Sequence, residues 1–425
     1  MRAPRSAGTP LARLSALHVL NDGLLASLPL LLPLAKEELA LGLPEIGALG
    51  GILSAAGVAL AFPSAWIAGR LGGARALRWA LGACGAGFLL FGLSRGFAGA
   101  AAAFALASLG FGIFHPIAFS LVAAGADGEG GETGVNAKGG EGGKGRRASV
   151  GKRMGDFTAV GDFGRLGFAA SVTLAASLLT WRGAAFLYAS VPLAVFAAAT
   201  LLSRRAGRGA GAGAGGAGGA DAEARESAAK RRPRAALKPN RALVLTLAAI
   251  ALDGMAGSSL FMFLPFLLVE RGIPAALLGS LTGAFFLGNL FGKTLLGRLS
   301  DRAGNRAVFA AAELLMAALL VLVARAGSTP AIVGLSVLLG AMTKGTVPVL
   351  NTMLADAVKE SGAYELAYGA GSFASGVAAS LSPLLFGLVA GSLGIESVFL
   401  ASAGFALAAI LPALFAAKRR SSSAR

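Results

Sequence analysis

Apolar runs of about 20 residues recur along this chain from one end to the other, and that recurrence restricts its fold more than any other feature. A helix needs about 20 apolar residues, rising about 1.5 Å each, to cross a hydrocarbon core about 30 Å thick. In hydrocarbon only helices and closed barrels satisfy all their own backbone hydrogen bonds. The 425 residues are 55% hydrophobic and 14% charged, with a mean hydropathy of +0.71, too few polar side chains to clothe a water-soluble surface. The reading is an all-α membrane protein of twelve transmembrane helices. They are expected at about 13–35, 46–69, 76–94, 98–123, 155–180, 184–202, 243–269, 275–297, 307–325, 330–354, 366–391 and 396–417.

The net charge of +17 would suggest nucleic acid in a soluble chain, but here the basic residues follow topology. Of 38 Lys and Arg, 30 fall in the N-terminal segment and every second connection after it, from Arg2, Arg5 and Arg13 to the tail at Lys418. The opposite connections hold only Lys36, Arg95, Arg182, Arg271 and Arg325, and three lie inside spans: Arg165, Lys293 and Lys344. The excess of positive charge marks the cytoplasmic side, so both termini are expected in the cytoplasm of a cell (inner) membrane protein. The start "MRAPRSAGTPLARLSALHVL" has the basic flank of a signal peptide. Its apolar run is too long and "PLAKEE" is a poor cleavage site, so it reads as a retained first helix. The single Cys84 allows no intrachain disulfide, and no metal site or cofactor is expected.

Two long connections are rich in Gly, Ala and charge and read as linkers: an insertion at 126–152 and a segment at 203–240. The second divides the chain into a six-helix half at 1–202 and another at 241–425. The halves repeat at an offset of about 230 residues. "NDGLLASLPLLLP" answers "LDGMAGSSLFMFLP", "GRLGGARALR" answers "GRLSDRAGNR", and "LGFGIFHP" answers "LGAMTKGTVP". Repeated six-helix halves are a mark of secondary transporters, with the substrate site between them near the midplane.

"GRLSDRAGNR", with Gly297, Asp301, Arg302, Gly304 and Arg306 between spans 8 and 9, resembles the cytoplasmic gating-loop signature of the major facilitator superfamily. The copy between spans 2 and 3 lacks the acidic residue. A closer resemblance is to the fosmidomycin-resistance family of drug exporters. It rests on "HVLND" in span 1, "FHP" (Phe114 to Pro116) in span 4 and "VGDFG" (Val160 to Gly164) in span 5. The chain departs from that family at Asp162 and Arg165, where small or neutral polar residues are usual, and in its long insertion. The superfamily resemblance implies a fold in which spans 1, 4, 7 and 10 line a central cavity.

The mid-span polar residues of those helices are His18, Asn21 and Asp22; His115; Asp253; and Lys344 with Asn351. An ionisable group inside a membrane is expensive and usually faces the bundle interior or a wet cavity. His18 and Asp22 are one helical turn apart, so they form either a proton-coupling pair, a packing pair or a substrate contact. Asp253, the matching acid, is expected to serve coupling, substrate binding or a structural pairing. Lys344 is expected to pair with Asp253 as a structural or gating ion pair, or to bind an anion. His115 could satisfy carbonyls freed by Pro116 or serve the cavity, and Asp162 and Arg165, three apart, could pair or serve it too. Lys293 is expected at the membrane interface, and Glu313 in span 9 has no evident role.

No HExxH, GxSxG or P-loop is present, so neither an enzyme nor an ATP-driven pump is indicated. The function read from the chain is secondary transport of small organic molecules by alternating access. A proton-coupled exporter, monomeric, with protons, a small-molecule substrate and the bilayer as its partners and no nucleic acid, is the first expectation. Uptake or exchange of organic anions, or a non-transporting receptor or scaffold, are the alternatives.

Overall fold

The computed structural model describes residues 10–60, 63–128, 142–209 and 239–416. Residues 129–141 of the 126–152 insertion, with Lys138, lie outside those residues. So do most of the 203–240 linker, with its basic run from Arg225 to Lys238, and the C-terminal tail. Every described element is helical. In chain order they are α1 (Pro10–Leu30), α2 (Leu32–Ala35), α3 (Leu43–Ala59), α4 (Pro63–Leu71), α5 (Gly73–Leu93), α6 (Phe97–Gly128) and α7 (Gly142–Gly209). There follow α8 (Arg241–Ser258), α9 (Leu260–Glu270), α10 (Ala275–Ala303), α11 (Asn305–Arg325), α12 (Thr329–Ala357), α13 (Tyr364–Leu393) and α14 (Glu396–Phe415).

Ten described helical segments are long and apolar enough to cross a membrane, and the α3–α4 pair makes an eleventh. The segment Phe157–Ser203, 47 residues long, is a twelfth in disguise. At about 1.5 Å per residue it is twice the length a bilayer needs, and it breaks at Thr180, where φ is 78° and ψ 163°. The twelve spans are therefore α1–α2, α3–α4, α5, α6, the two arms of α7, α8–α9, and α10 to α14, called spans 1 to 12 below. Many large apolar side chains stay exposed, Leu178, Leu393, Leu202 and Phe291 among them, as a lipid-facing surface requires.

The two halves repeat their packing. Span 1 lies on span 5 as span 7 lies on span 11, span 3 lies on spans 4 and 6 as span 9 lies on spans 10 and 12, and span 2 lies on span 4 as span 8 lies on span 10. The halves meet along two seams, span 2 on span 11 and span 5 on span 8. Both cavity-lining first helices break between their acid and the helix end: span 1 at Leu31, two residues after Pro29, and span 7 at Ser259. At the second break Ser382 of span 11 donates to the Met255 carbonyl (2.8 Å) and also contacts Ser259, so the interrupted backbone is satisfied by a side chain. Beyond the breaks one end of the bundle is sealed. Leu28, Leu30, Leu31 and Leu32 of span 1 and Phe263, Leu267 and Leu268 of span 7 are buried in one core where the two helices touch.

The loop signature turns on Gly304, at φ 87°, and its counterpart Gly72 turns the same way at φ 80°; a side chain would be strained at either. Asp301 and Arg302 are exposed. Asn305, at the start of span 9, donates to Asp356 at the end of span 10 (3.4 Å), so the acid that meets this helix start is Asp356 and not Asp301.

Candidate functional site

Span 1 and span 5 cross at backbone distance, and that crossing builds the site. A Cβ on Gly164 would lie 2.4 Å from the Val19 carbonyl oxygen, and one on Gly161 would lie 2.6 Å from His18 Cε1 and 2.8 Å from Asp22 Oδ2. Only glycine at both positions lets "VGDFG" lie against "HVLND". His18 is then fixed from two sides: its ring stacks on Phe157 (4.2 Å between centroids) and Nδ1 hydrogen-bonds to the Phe157 carbonyl (2.8 Å).

Asp22 is the centre of the cluster. His18 Nε2 lies 3.4 Å from Oδ2, His115 Nε2 lies 2.9 Å from Oδ1, and the Arg165 guanidinium lies 2.8 Å from Oδ2. Asn21 donates to Oδ1 at 3.2 Å. His18, Asn21 and Asp22 are buried, so the carboxylate does not face the cavity directly, as its place on span 1 implies; His115 and Arg165 stand between it and the open space. Arg165 is shared: its other nitrogen reaches Asp162 at 3.3 Å, one helical turn back. Asp162, buried, takes a second cation from the opposite half, Lys293 Nζ at 2.8 Å. Lys293 therefore does not reach for the membrane interface, as its place near the end of span 8 suggests; the carboxylate on the facing helix captures it first. The network holds two acids and two strong bases and is neutral when its histidines are neutral.

In the second half the geometry departs from expectation. Lys344 makes no direct ion pair with Asp253 and instead lines the cavity. Asp253 Oδ1 accepts from Thr346 Oγ1 (2.9 Å), and its carboxyl lies within hydrogen-bond reach of Glu313 from span 9. Lys344 is near enough to Asp253 for electrostatic attraction alone. Asn351 is exposed and lies outside the cavity, whereas Asn289 of span 8, buried with an unpartnered Oδ1, lines it. Asn289 is not legible from sequence because span 8 is not one of the four cavity helices that the resemblance implies.

The cavity between the halves has a volume of about 370 Å³. Its charged and titratable lining is His115, Arg165 and Lys344, and its walls include Phe111, Phe261, Phe285 and Phe286. That volume suits a small organic molecule. A metal is the other ligand to weigh. The donor atoms of His18, Asp22 and His115 lie within 4.8 Å of one another, but the Arg165 guanidinium already supplies the carboxylate's counter-charge and opposes a cation there.

Two six-helix halves around a polar midplane cavity define the class: a multi-pass membrane protein with the major facilitator superfamily fold. Residues 246–425 match the family profile described as Major Facilitator Superfamily. Among solved structures the chain is similar to a bacterial homolog of the human lysosomal transporter Spinster, inward-facing and occupied (14% identity, 96% of each chain covered, TM-score 0.73). It is also similar to the nucleoside transporter NupG (15% identity, 97% and 100% covered, TM-score 0.68) and to the human organic anion transporter MFSD10 (18% identity, 96% and 100% covered, TM-score 0.55). No curated protein matches it by sequence.

Proposed function

We propose that this chain is a proton-coupled transporter of small amphipathic organic anions, and that proton and anion move together. The observation that carries it is the convergence of Arg165 and Lys344, one from each half, on one cavity walled by phenylalanines. The cations meet a carboxylate, phosphonate or phosphate, and the aromatic walls meet the apolar body. One structural neighbour is an organic anion transporter, which supports the same substrate class.

The direction of coupling follows from electrostatics. Arg165 is held by Asp22 and Asp162, in a network that is neutral when its histidines are neutral. A proton entering it, whether on Asp22 or on a histidine, makes it net positive and loosens the guanidinium for an anion. An anion in the cavity, by reciprocity, favours the proton. Proton and anion therefore bind with positive cooperativity, which is cotransport. The proton-driven antiport expected of an exporter requires the two to exclude each other, and the guanidinium shared by Asp22 and the cavity supports the opposite reading. The likeness to fosmidomycin-resistance exporters is carried by three motifs that meet in this one cluster.

With the basic connections in the cytoplasm, the sealed end formed by spans 1 and 7 faces outward and the protein is inward-facing, like the Spinster homolog it resembles. Both termini then lie in the cytoplasm, and one copy holds a complete cavity, which fits a monomer.

Binding to the purified protein tests the anion reading. A panel of one aromatic carboxylate, one aryl phosphonate and the matching neutral and cationic compounds is titrated, with thermal stabilisation as the readout. The anions are expected to stabilise the protein and the cations not. Arg165→Gln and Lys344→Gln should each weaken anion binding at least about tenfold, the loss of one charge-assisted contact. Equal binding of cations, or full anion affinity in both variants, overturns the assignment.

A further inference from the structure

Glu313 is the one carboxylate deep in the described membrane spans for which the network above has no use. It sits on span 9 at 0% exposure, and neither of its oxygens has a hydrogen-bond donor among the described residues. What it does have is another carboxyl: Asp253 of span 7 stands within hydrogen-bond reach. Two ionised carboxylates at that separation in an apolar core repel strongly, and among the described residues no cation touches either one. Spans 10, 11 and 12 pack on α8, the part of span 7 that carries Asp253, and spans 8, 10 and 12 pack on span 9. Away from their ends those helices carry only two charges. Lys293 is committed to Asp162, and Lys344 acts on Asp253 from beyond contact. Thr346 can supply a neutral hydrogen bond to Asp253 but no charge.

We infer that Glu313 and Asp253 form a proton-binding site in which the Glu313 carboxylic acid donates its hydrogen bond to the Asp253 carboxylate. One proton accounts for the pairing of the two carboxyls. It gives the buried Glu313 oxygens a role, turns repulsion into a charge-assisted bond, and leaves one negative charge opposite Lys344, so that the C-terminal half is as neutral as the N-terminal network. Asp253 is half-buried and Glu313 is fully buried, so Asp253 is the more accessible member of the pair. A second proton would remove the charge facing Lys344 and leave that lysine free for an anion. This deepens the coupling reading and, for that last step only, rests on it.

Infrared difference spectroscopy on the purified full-length protein tests the pair without any substrate. At neutral pH the wild type should show a protonated-carboxyl C=O stretching band that shifts in D2O. Glu313→Gln should lose it, because Asp253 then accepts from the amide and stays ionised. Asp253→Asn should keep it at neutral pH, because the Glu313 carboxyl remains buried without a cation beside it. Asp22→Asn should leave it unchanged, since Asp22 is ion-paired. A wild type with no such band at neutral pH, or a band that survives in Glu313→Gln, overturns the inference. Either result leaves the anion-binding reading intact, and a failure of anion binding leaves the band untouched, so the two fail separately.

Discussion

Thr180 occupies a backbone conformation, φ 78° and ψ 163°, that glycine adopts freely and a β-branched residue does not; Gly394 turns into span 12 in the same way (φ 85°, ψ 166°). Its hydroxyl explains why threonine is tolerated: Oγ1 accepts from the Gly183 amide at 3.3 Å and caps span 6. The strain of such a position is about 1–3 kcal/mol, whereas exchanging a threonine cap for glycine costs only about a few tenths. Thr180→Gly is therefore expected to raise the melting temperature in detergent by the equivalent of about 1 kcal/mol, and a lowered value would contradict the strain. At this scale the sequence is readable where a residue carries its own warning. A charge in an apolar run points to Asp22, Asp253, Arg165 and Lys344, and the three-residue spacing points to the Asp162–Arg165 contact. Partners across helices are not readable. Lys344 and Asp253 attract as opposite charges and invite pairing, but Asp253 has Thr346 and Glu313 closer at hand. Glu313 stands out as a charge in an apolar run but gets no role, and Asn289 gives no signal, because they lie on spans 9 and 8, outside the helices expected to line the cavity.

Among elements, the three motifs of the first half make sense only together. "HVLND", "FHP" and "VGDFG" each supply a part of one cluster, and the glycines supply none of its chemistry but all of its closeness. Gly164→Ala would push a methyl group into the Val19 carbonyl, a backbone atom that cannot rotate aside. An overpacking cost of about 1–3 kcal/mol and a separated Asp22–Arg165 pair are expected. Gly167→Ala, with nothing within 4 Å, is the neutral control. The check is the melting temperature and the anion affinity of both variants. If Gly164→Ala matched Gly167→Ala, the crossing would not hold the site. The sealed end shows a second correspondence that no alignment of identities reveals. In the first half Arg182 binds Glu38 and the carbonyls of Gly92 and Ser94 at the end of span 3. In the second half Arg271 binds Glu396 and the Ala324 carbonyl at the end of span 9. The arginine caps the same helix end in both, but it comes from the start of span 6 in one half and from the loop after span 7 in the other. The acid and the base have exchanged places, so the repeat is invisible as letters and plain as geometry. Glu38 also accepts from the Trp181 indole (2.6 Å), which with Arg182 holds its carboxyl below the usual range.

For the whole molecule, the count and order of spans are legible because the bilayer enforces length, and the observed helices follow the expected ones closely. Which way the coupling runs is not legible, because it depends on which charges share a partner in space. The expectation of an antiporting exporter comes from resemblance. On the reading proposed above, Asp22 and an anion compete for the same guanidinium, and a proton on the cluster favours the anion. The sign of proton movement decides between them. The protein is reconstituted into liposomes holding a pH-sensitive dye, and an inward gradient of an anion that binds in the titration above is imposed with the membrane potential clamped. The account predicts acidification of the lumen as protons enter with the anion, abolished in Arg165→Gln. Alkalinisation would make the protein an antiporter, and anion entry with no pH change would contradict proton coupling altogether.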